Sequence, residues 1–530
     1  LVYASGLVSE ALALKTIETE VLVIGGGLTG AGVLRDLALR GVRCLLVERR
    51  DMDAGASGAN HGLLHSGARY VVRDPESARE CAAENRVLKR VASGFIEDCG
   101  GLFVGLEGDD DSYLAPFLEA AGRAGVEARV EDPQRALAQE PLLSPRVRTV
   151  VRVPDAHINP FLTTLANLEA AEALGARVLL QTEVAAMERS GGRIAAVECV
   201  DHRSGGRLRV VARQVVSAAG PWVDQVGAMA GVMIPIAYSM GSLLITNSRL
   251  VDHVINRLRP PSDGDIIVPG ETVTITGTNS IRLRRLQHLA TSSAEVDQLV
   301  RQASQMVPAM ADTRYIRVYA GVRPLVRAGE QQSDRHISRT FVVFDHERDG
   351  LSNLATITGG KLTTFRLMAE RVSDLVCRRL GNRAPCLTAE VPLPGCGEGQ
   401  RLDPADRLRR LRAPPPAGDV LCECELVGRQ QLEQIVERLK RAGHPVSLTA
   451  LRLRARLGMG SCQGGFCGFR TVGHLYQRGE LSGRQGNEML KSFLERRWAG
   501  IKPVLWGEQL RQEQLLEAIY CGTLNIDGDL

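Results

Sequence analysis

Apolar and polar positions change period several times along the chain, and each change marks an element. Val21 to Ile24 are an unbroken apolar run, the pattern of a parallel strand buried on both faces. Gly25, Gly27 and Gly30 follow as G-x-G-x-x-G, and helical spacing then sets in, with Val33, Leu34, Leu37 and Leu39 apolar beside Arg35, Asp36 and Arg40. A second apolar run from Arg43 to Val47 ends in Glu48, 18 residues after Gly30. Amphipathic helices are predicted over 75–93, 112–126 and 161–174, the last two closing on Gly125 and Gly175. Residues 177–219 read as strands broken by turns at Gly191-Gly192 and Ser204-Gly205-Gly206, and run into a Gly220-Pro221 break. Residues 236–345 are strand-rich and interrupted, which suggests an antiparallel sheet. Leu354 to Arg366 repeats the order strand, Gly-Gly turn, helix start, and helical spacing continues to about Leu380.

These patterns predict an α/β chain. A doubly wound nucleotide domain spans 18–235 and resumes over 346–385, with a sheet-based domain over 236–345 between its two parts. A linker is expected over 386–418, containing Pro414–Pro416 and a basic run from Arg407 to Arg412 that reads as a solvated face. A small Cys-bearing domain over 419–475 and a helical tail over 476–530 complete the chain.

The glycine turn stands in the context that a dinucleotide site requires. Gly25 allows the tight turn, Gly27 lets the backbone approach a pyrophosphate, and Gly30 lets helix and strand pack closely. The helix N-terminus offers N–H groups to phosphate, and Glu48 can accept from a ribose 2′-hydroxyl, which disfavours a 2′-phosphate. The motif does not separate FAD from NAD. The segment from Arg49 to Tyr70 is dense in Gly, Ala, Ser, Asn and His, and small residues there point to close approach of backbone to a cofactor.

Composition narrows the function classes. At 530 residues with net charge +4 the chain shows no basic strip for nucleic acid. Six residues are Lys and 59 of the 65 cations are Arg, which makes each Lys, Lys361 above all, more informative. No run of 18 apolar residues predicts a membrane-spanning helix. The chain begins at Leu1 and the stretch to Leu14 lacks the basic start of a signal peptide, so it is expected to carry little structure. Of the twelve Cys, four cluster as C-x-C-x37-C-x4-C: Cys422, Cys424, Cys462 and Cys467. Four thiolates in two short groups can hold zinc or an iron–sulfur cluster. C-x-C is unusual for structural zinc, and Gly458, Gly460, Gly464, Gly465 and Gly468 leave N–H groups for sulfide and thiolate, which favours [2Fe–2S].

Several segments together resemble one family. The glycine turn, Asn60 to Tyr70, Gly321-Val-Arg-Pro-Leu325 and Ile357-Thr-Gly-Gly-Lys-Leu-Thr-Thr364 are similar to the FAD-dependent glycerol-3-phosphate dehydrogenases. The Cys module resembles the bacterioferritin-associated ferredoxin type. That pairing, with the tail Phe493 to Trp506, is similar to the catalytic subunit of the anaerobic branch, over about residues 18–520. The resemblance implies a fold like glutathione reductase and D-amino-acid oxidase. It also implies oxidation of sn-glycerol 3-phosphate to dihydroxyacetone phosphate. Electrons would then pass to a flavoprotein partner of the same complex, next to its membrane iron–sulfur subunit, then to quinone. Peripheral attachment to the cytoplasmic side of the membrane follows from such partners.

By the same resemblance Gly25, Gly27, Gly30, Glu48, Arg49 and Ser57 touch the cofactor, as do His61, Gly62, Val184, Ala219 and Gly220. So do Gly359, Gly360, Lys361, Leu362 and Thr363. Arg69, Arg323 and Arg339 are the candidates for the substrate phosphate, and Lys361 for a charge beside the flavin. Catalysis is expected to involve Arg323 and Lys361, with His65 or Tyr70 handling the substrate hydroxyl. The aerobic branch carries a His shortly after Lys-Gly-Ser, whereas this chain reads Met240-Gly-Ser-Leu-Leu244, so the base stays open between His65 and Tyr70.

Two other readings compete. One is a related flavoprotein acting on a hydroxy or amino acid such as 2-hydroxyglutarate, which needs fewer cations. The other treats the Cys module as a docking element that carries no current. The apolar tail residues Trp498, Ile501, Val504, Leu505 and Trp506 suggest either a docking surface or packing on the chain itself.

Overall fold

The structure is a computed structural model, and residues 15–286, 289–327, 337–397, 402–403, 409, 420–523 and 525–526 are described. The run Val21–Ile24 lies in strand β1 (Lys15–Ile24), at the centre of the first sheet. On one side β1 pairs in parallel with β2 (Cys44–Glu48), which pairs in parallel with Arg177–Leu180. On the other side it pairs in parallel with Arg207–Ser217. That long strand is shared: its first half pairs with the hairpin strand Arg193–Asp201, and its second half with Leu354–Gly359. Five parallel strands therefore come from distant parts of the chain, which explains why 346–385 reads as a return to the first domain.

Helix α1 (Leu28–Leu39) connects β1 to β2 and is buried on nearly every face, between the helices Pro160–Ala173 and Phe365–Leu380. Leu28, Val33, Leu34 and Leu37 are almost fully buried, each worth about 1.5–3 kcal/mol of transfer free energy. Its polar residues are buried as well. Asp36 pairs with Arg40 at 2.8 Å, and Arg40 reaches Asp374 at 2.8 Å. Gly30 has no alternative, because a Cβ there would lie 1.9 Å from the carbonyl oxygen of Gly25.

The second sheet has nine strands. Ile236–Thr246 lies beside Tyr315–Val326, and the sheet runs on through Val273–Gly277, Ile266–Gly270 and Val254–Arg257. Its far part corrects the expected boundary. Gly101–Leu106, Arg129–Glu131 and Val147–Val153 belong to this sheet, although they lie within 18–235. Gly101–Leu106 pairs in parallel with Val254–Arg257, so the sheet is mixed. Conversely, Phe341–Asp345 pairs antiparallel with Leu354–Gly359 in the first sheet, so that sheet resumes before residue 346.

The expected linker begins as packed chain: Leu393 and Cys396 sit in a core with Leu88 and Val91. Pro414–Pro416 and the basic run other than Arg409 lie outside the described residues, as does the stretch 1–14. The Cys-bearing domain and the tail share one core, including Leu432, Val436, Leu451, Leu475, Leu494 and Trp498, so they form a single unit. The tail packs on the rest of the chain: Trp498, Ile501 and Val504 are buried, and of the five apolar tail residues Trp506 is the one clearly exposed, at 54%. The unit is seated on both sheets. Leu453 enters the core of the first, Val504 packs with Leu244 and Val318 of the second, and Arg454 reaches Asp51 at 3.3 Å. No helix of the described residues is long and apolar enough to cross a membrane.

Candidate functional site: a cavity between the two sheets

A cavity of about 880 Å³ runs from the Gly25–Leu28 turn to the strand Tyr315–Val326, a volume in the range of small-molecule and cofactor sites. Its wall includes Gly25, Gly27, Glu48, Arg49, Ser57 and His61, then Val184, Ala219 and Gly220, then Gly359 to Leu362. His65, Arg69, Tyr70, Arg323 and Arg339 line it from the other side. Gly30, Gly62 and Thr363 are set back from it. Gly62 is needed where it is because φ is +68° and a Cβ would lie 2.7 Å from Nε2 of His157. Thr363 acts one step removed, its hydroxyl accepting the backbone N–H of His65 at 2.9 Å.

The end at the glycine turn is built from backbone. No side chain caps α1 at Gly27; Ser57, from the next loop, accepts the N–H of Leu28 at 2.9 Å. The remaining N–H groups of the first turn give this end the character of an anion site. Glu48 is held in place by the N–H groups of Gly26 at 2.7 Å and Arg50 at 2.9 Å, one on each carboxylate oxygen. Burial raises the Glu48 pKa despite those bonds. Arg49 stacks on Trp222 at 4.3 Å, so Trp222 is a wall residue that no sequence motif announces.

The loop from Ala56 to His65 is tied at both ends. Asn60 donates to the carbonyls of Ala56 and Ser57 and accepts from Gly62, and its own carbonyl accepts from Tyr319 at 2.7 Å. Gly321 has to be glycine, since a Cβ would lie 2.1 Å from the carbonyl oxygen of Ala59. This contact closes the cavity between the two sheets. Nδ1 of His61 accepts the N–H of Leu63 at 3.1 Å, which leaves the proton of the neutral ring on Nε2.

At the other end the cations gather. Arg323 donates to the hydroxyl of Thr278 at 2.6 Å and to the carbonyl of Asn279 at 3.3 Å. Its guanidinium occupies the space above Gly241, where a Cβ would lie 2.3 Å from Nη2. Gly241, in the segment that departs from the aerobic pattern, thus makes room for the arginine. Arg69 donates to the carbonyl of Ser262 at 3.2 Å and lies 3.8 Å from Asp265. Lys361 donates to the carbonyl of Arg339 at 2.9 Å and lies over the ring of Tyr70 at 4.7 Å. The hydroxyl of Tyr70 is 3.5 Å from Nε2 of His65.

Burial among these cations shifts His61, His65, Tyr70 and Lys361 toward neutrality. Burial, then the neighbouring Arg323 and Arg69, lower His61 to about 3. Burial, then His61, Lys361 and Arg69, hold His65 well below its ordinary value. Burial raises Tyr70 to about 12 and lowers Lys361. His65 is therefore a neutral imidazole beside a protonated phenol. A stability consequence follows for the protein without substrate. A His whose folded value is depressed binds fewer protons folded than unfolded, so stability is present above the ordinary value of 6.5 and is lost as pH falls toward about 3. The Tm is expected to fall steadily over that window, and the slope to flatten in His61→Asn. An unchanged slope in the variant refutes the assignment.

In the C-terminal unit Cys424 approaches Cys462, Cys462 approaches Cys467, and Cys467 approaches Cys422, each pair within hydrogen-bond contact. Gly458 donates its N–H to Cys422, and Phe466 and Gly464 donate to Cys462. Gly460 packs on Cys424, where a Cβ would lie 2.2 Å from that of the cysteine. Among the described residues no three ligating side chains converge on one point for a single metal ion.

A dinucleotide turn opening on a cavity closed by a second sheet defines a flavoprotein-type oxidoreductase fold. A family model described as FAD dependent oxidoreductase matches residues 20–366. The A subunit of anaerobic glycerol-3-phosphate dehydrogenase from Escherichia coli (strain K12) is 43% identical, over 96% of this chain and 98% of that one. Its counterpart from Haemophilus influenzae is 39% identical, over 97% and 94%. The solved glycerol-3-phosphate dehydrogenase from Bacillus halodurans, complexed with FAD, shares the fold with a TM-score of 0.64 at 20% identity, over 93% and 97%. The chain belongs to the FAD dependent oxidoreductases and, among them, to the family of anaerobic glycerol-3-phosphate dehydrogenase A subunits.

Proposed function

We propose that the chain oxidises sn-glycerol 3-phosphate to dihydroxyacetone phosphate with FAD held in the cavity, and passes the electrons through a [2Fe–2S] centre and partner subunits to quinone. The observation that carries this reading is the full-length relationship to proteins of that name, with Arg69, Arg323, Arg339 and Lys361 gathered at the end of the cavity away from the glycine turn. FAD fits the residues present: the uncapped α1 N-terminus for its pyrophosphate, Glu48 for its ribose and Gly359–Leu362 for its ring system. When bound it supplies the hydride acceptor.

The chain's own residues supply the rest. The arginines hold a near-dianionic phosphate by charge-assisted bonds. Lys361, fixed by the Arg339 carbonyl, would provide a positive charge to a flavin held at Gly359–Leu362. His65 is the better candidate for taking the proton of the substrate hydroxyl, because it is neutral and Tyr70 keeps its own proton. Burial is the main cause of the His65 depression, and Arg69 adds to it; a phosphate held by Arg69 would offset that part of the shift.

Cys422, Cys424, Cys462 and Cys467 fit a [2Fe–2S] centre. The four thiols stand in a row, each in contact with the next, and take N–H groups from Gly458, Gly464 and Phe466, which suits four thiolates shared between two irons. The relatives are named as one component of a larger enzyme, which supports a complex of several subunits; in the reading proposed here the others are a flavoprotein partner and a membrane iron–sulfur subunit. On this reading the chain sits peripherally at the cytoplasmic face of the membrane. The test is an anaerobic titration of the purified protein with glycerol 3-phosphate. Bleaching of the flavin band is the expected result. No bleaching with glycerol 3-phosphate, but bleaching with a 2-hydroxy acid, overturns the substrate assignment.

A further inference from the structure

Helix Gln485–Ile501 carries Arg497 into the interior of the C-terminal unit, where the residue is 6% exposed. Its Nη2 donates to the carbonyl of Gly458 at 2.7 Å and to the side-chain oxygen of Gln463. Both acceptors belong to the loop that presents Cys462 and Cys467, and Gly458 also donates its N–H to Cys422. Nε of Arg497 is buried without a partner.

A guanidinium this deeply buried ordinarily faces a carboxylate. Here its strongest electrostatic neighbours are two further arginines, Arg317 and Arg452, and the thiols of Cys467 and Cys462. Arg317 comes from the second sheet and spends its donors on the carbonyls of Arg497 at 2.9 Å and Arg496 at 3.2 Å. Arg452 comes from the helix Leu448–Ala455. These three positive charges repel one another; Asp51 and Asp53 offset part of the charge of Arg452, but no carboxylate is among the strongest neighbours of Arg497, and neutral thiols do nothing to balance it. Four thiolates bound to iron do, because such a centre is a net anion.

We propose that Arg497 is the buried countercharge of the anionic centre held by Cys422, Cys424, Cys462 and Cys467, and that it raises the reduction potential of that centre. The proposal rests on the reading of those cysteines as an iron–sulfur site. Reduction adds one negative charge to the centre, so a fixed cation in a low-dielectric interior stabilises the reduced form more than the oxidised one. Arginine suits the task because its planar fork can bind the Gly458 and Gln463 oxygens from one fixed charge. Arg497 is a positioning residue in this account: it touches the ligand loop, not the reacting atoms.

The test uses the full chain purified anaerobically, with R497Q and R497K beside it, and iron and labile sulfide measured in each. The midpoint potential of the centre is read by a dye-mediated titration followed by EPR. R497Q is expected to shift it to more negative potential, and R497K to keep most of the parent value. Thermal unfolding provides the second readout. In metal-free protein R497Q is expected to melt no lower than the parent, because a repelling charge is gone; in iron-loaded protein it melts lower. A merely structural arginine, pinning the loop through Gly458 and Gln463, predicts a loss in both forms. Iron present with the R497Q potential unmoved, or equal shifts in both variants, overturns the proposal alone. A parent protein without iron overturns the cysteine reading and the proposal with it. If R497Q takes up no iron, the metal-free melt decides, and a lowered midpoint there counts against the proposal.

Discussion

Replacing Arg323 by Gln is expected to lower kcat/KM for glycerol 3-phosphate by about a hundred- to a thousand-fold, with flavin content unchanged. The magnitude is that of losing one charge-assisted contact to a phosphate in a desolvated pocket, about 3–4 kcal/mol. The geometry makes Arg323 the residue to test. Its hydrogen bonds go to two neutral acceptors, Thr278 and Asn279, and Asp263 acts on it only electrostatically, whereas Arg69 lies 3.8 Å from the carboxylate of Asp265. Arg339 and Arg69 both push its pKa down after burial does, which means the free enzyme holds mutually repelling cations. Gln relieves that repulsion, so the Tm of the variant is expected to hold or rise while activity collapses. Lys is expected to restore activity only in part, because an ammonium cannot reproduce the fork that spans Thr278 and the ligand. Steady-state assays with stopped-flow flavin reduction check this. A loss below about fivefold removes the phosphate role from Arg323.

What could be seen in the sequence was whatever a short window encodes. The turn at Gly25–Gly30, the strand before it and the acid at Glu48 are local, and local sterics dictate them: Gly25 has φ of +115° and Gly30 lies against the Gly25 carbonyl. The helices over 75–93 and 161–174 were likewise legible, and the structure has Pro75–Val91 and Pro160–Ala173. Long-range pairing was not. Gly101–Leu106 pairs with Val254–Arg257 across about 150 residues, and nothing in the apolar run itself says which sheet it enters. The same holds for the site. Arg323 was visible in a motif, but the reason for Gly241 and Gly321 appears only when strands from two sheets meet over the loop at Ala59. Trp222 and Tyr319 carried no signal beyond being aromatic in a chain with 4% aromatics. Arg497 was one Arg among 59, and only its burial beside the cysteine loop sets it apart.

The second large effect separates the two halves of the molecule. Cys462→Ser is expected to leave flavin reduction by glycerol 3-phosphate within about twofold of the parent, because its sulfur belongs to the C-terminal unit and not to the cavity wall. On the proposed reading of the four cysteines, transfer onward to the partner subunits and quinone is expected to fall by about a hundred-fold or more, because a hydroxyl at this position would not replace a thiolate ligand. Cys462 is the most exacting of the four positions. It contacts both Cys424 and Cys467 and receives the N–H groups of Phe466 and Gly464, so its loss breaks the chain of thiols in the middle. The two half-reactions are measured apart: anaerobic stopped-flow for flavin reduction, and quinone reduction in membranes carrying the partner subunits for reoxidation. Loss of both rates would mean that the C-terminal unit is needed for the cavity itself. The contacts of Arg454 with Asp51 and of Arg317 with the helix carbonyls make that a real mechanical coupling to check, and unchanged flavin content in the variant excludes it. If instead both rates survive, the four cysteines carry no current, and the unit serves to seat a partner. The arginines around Arg497 would then need a different anion, and the pairwise approach of the thiols would be packing without electron transfer.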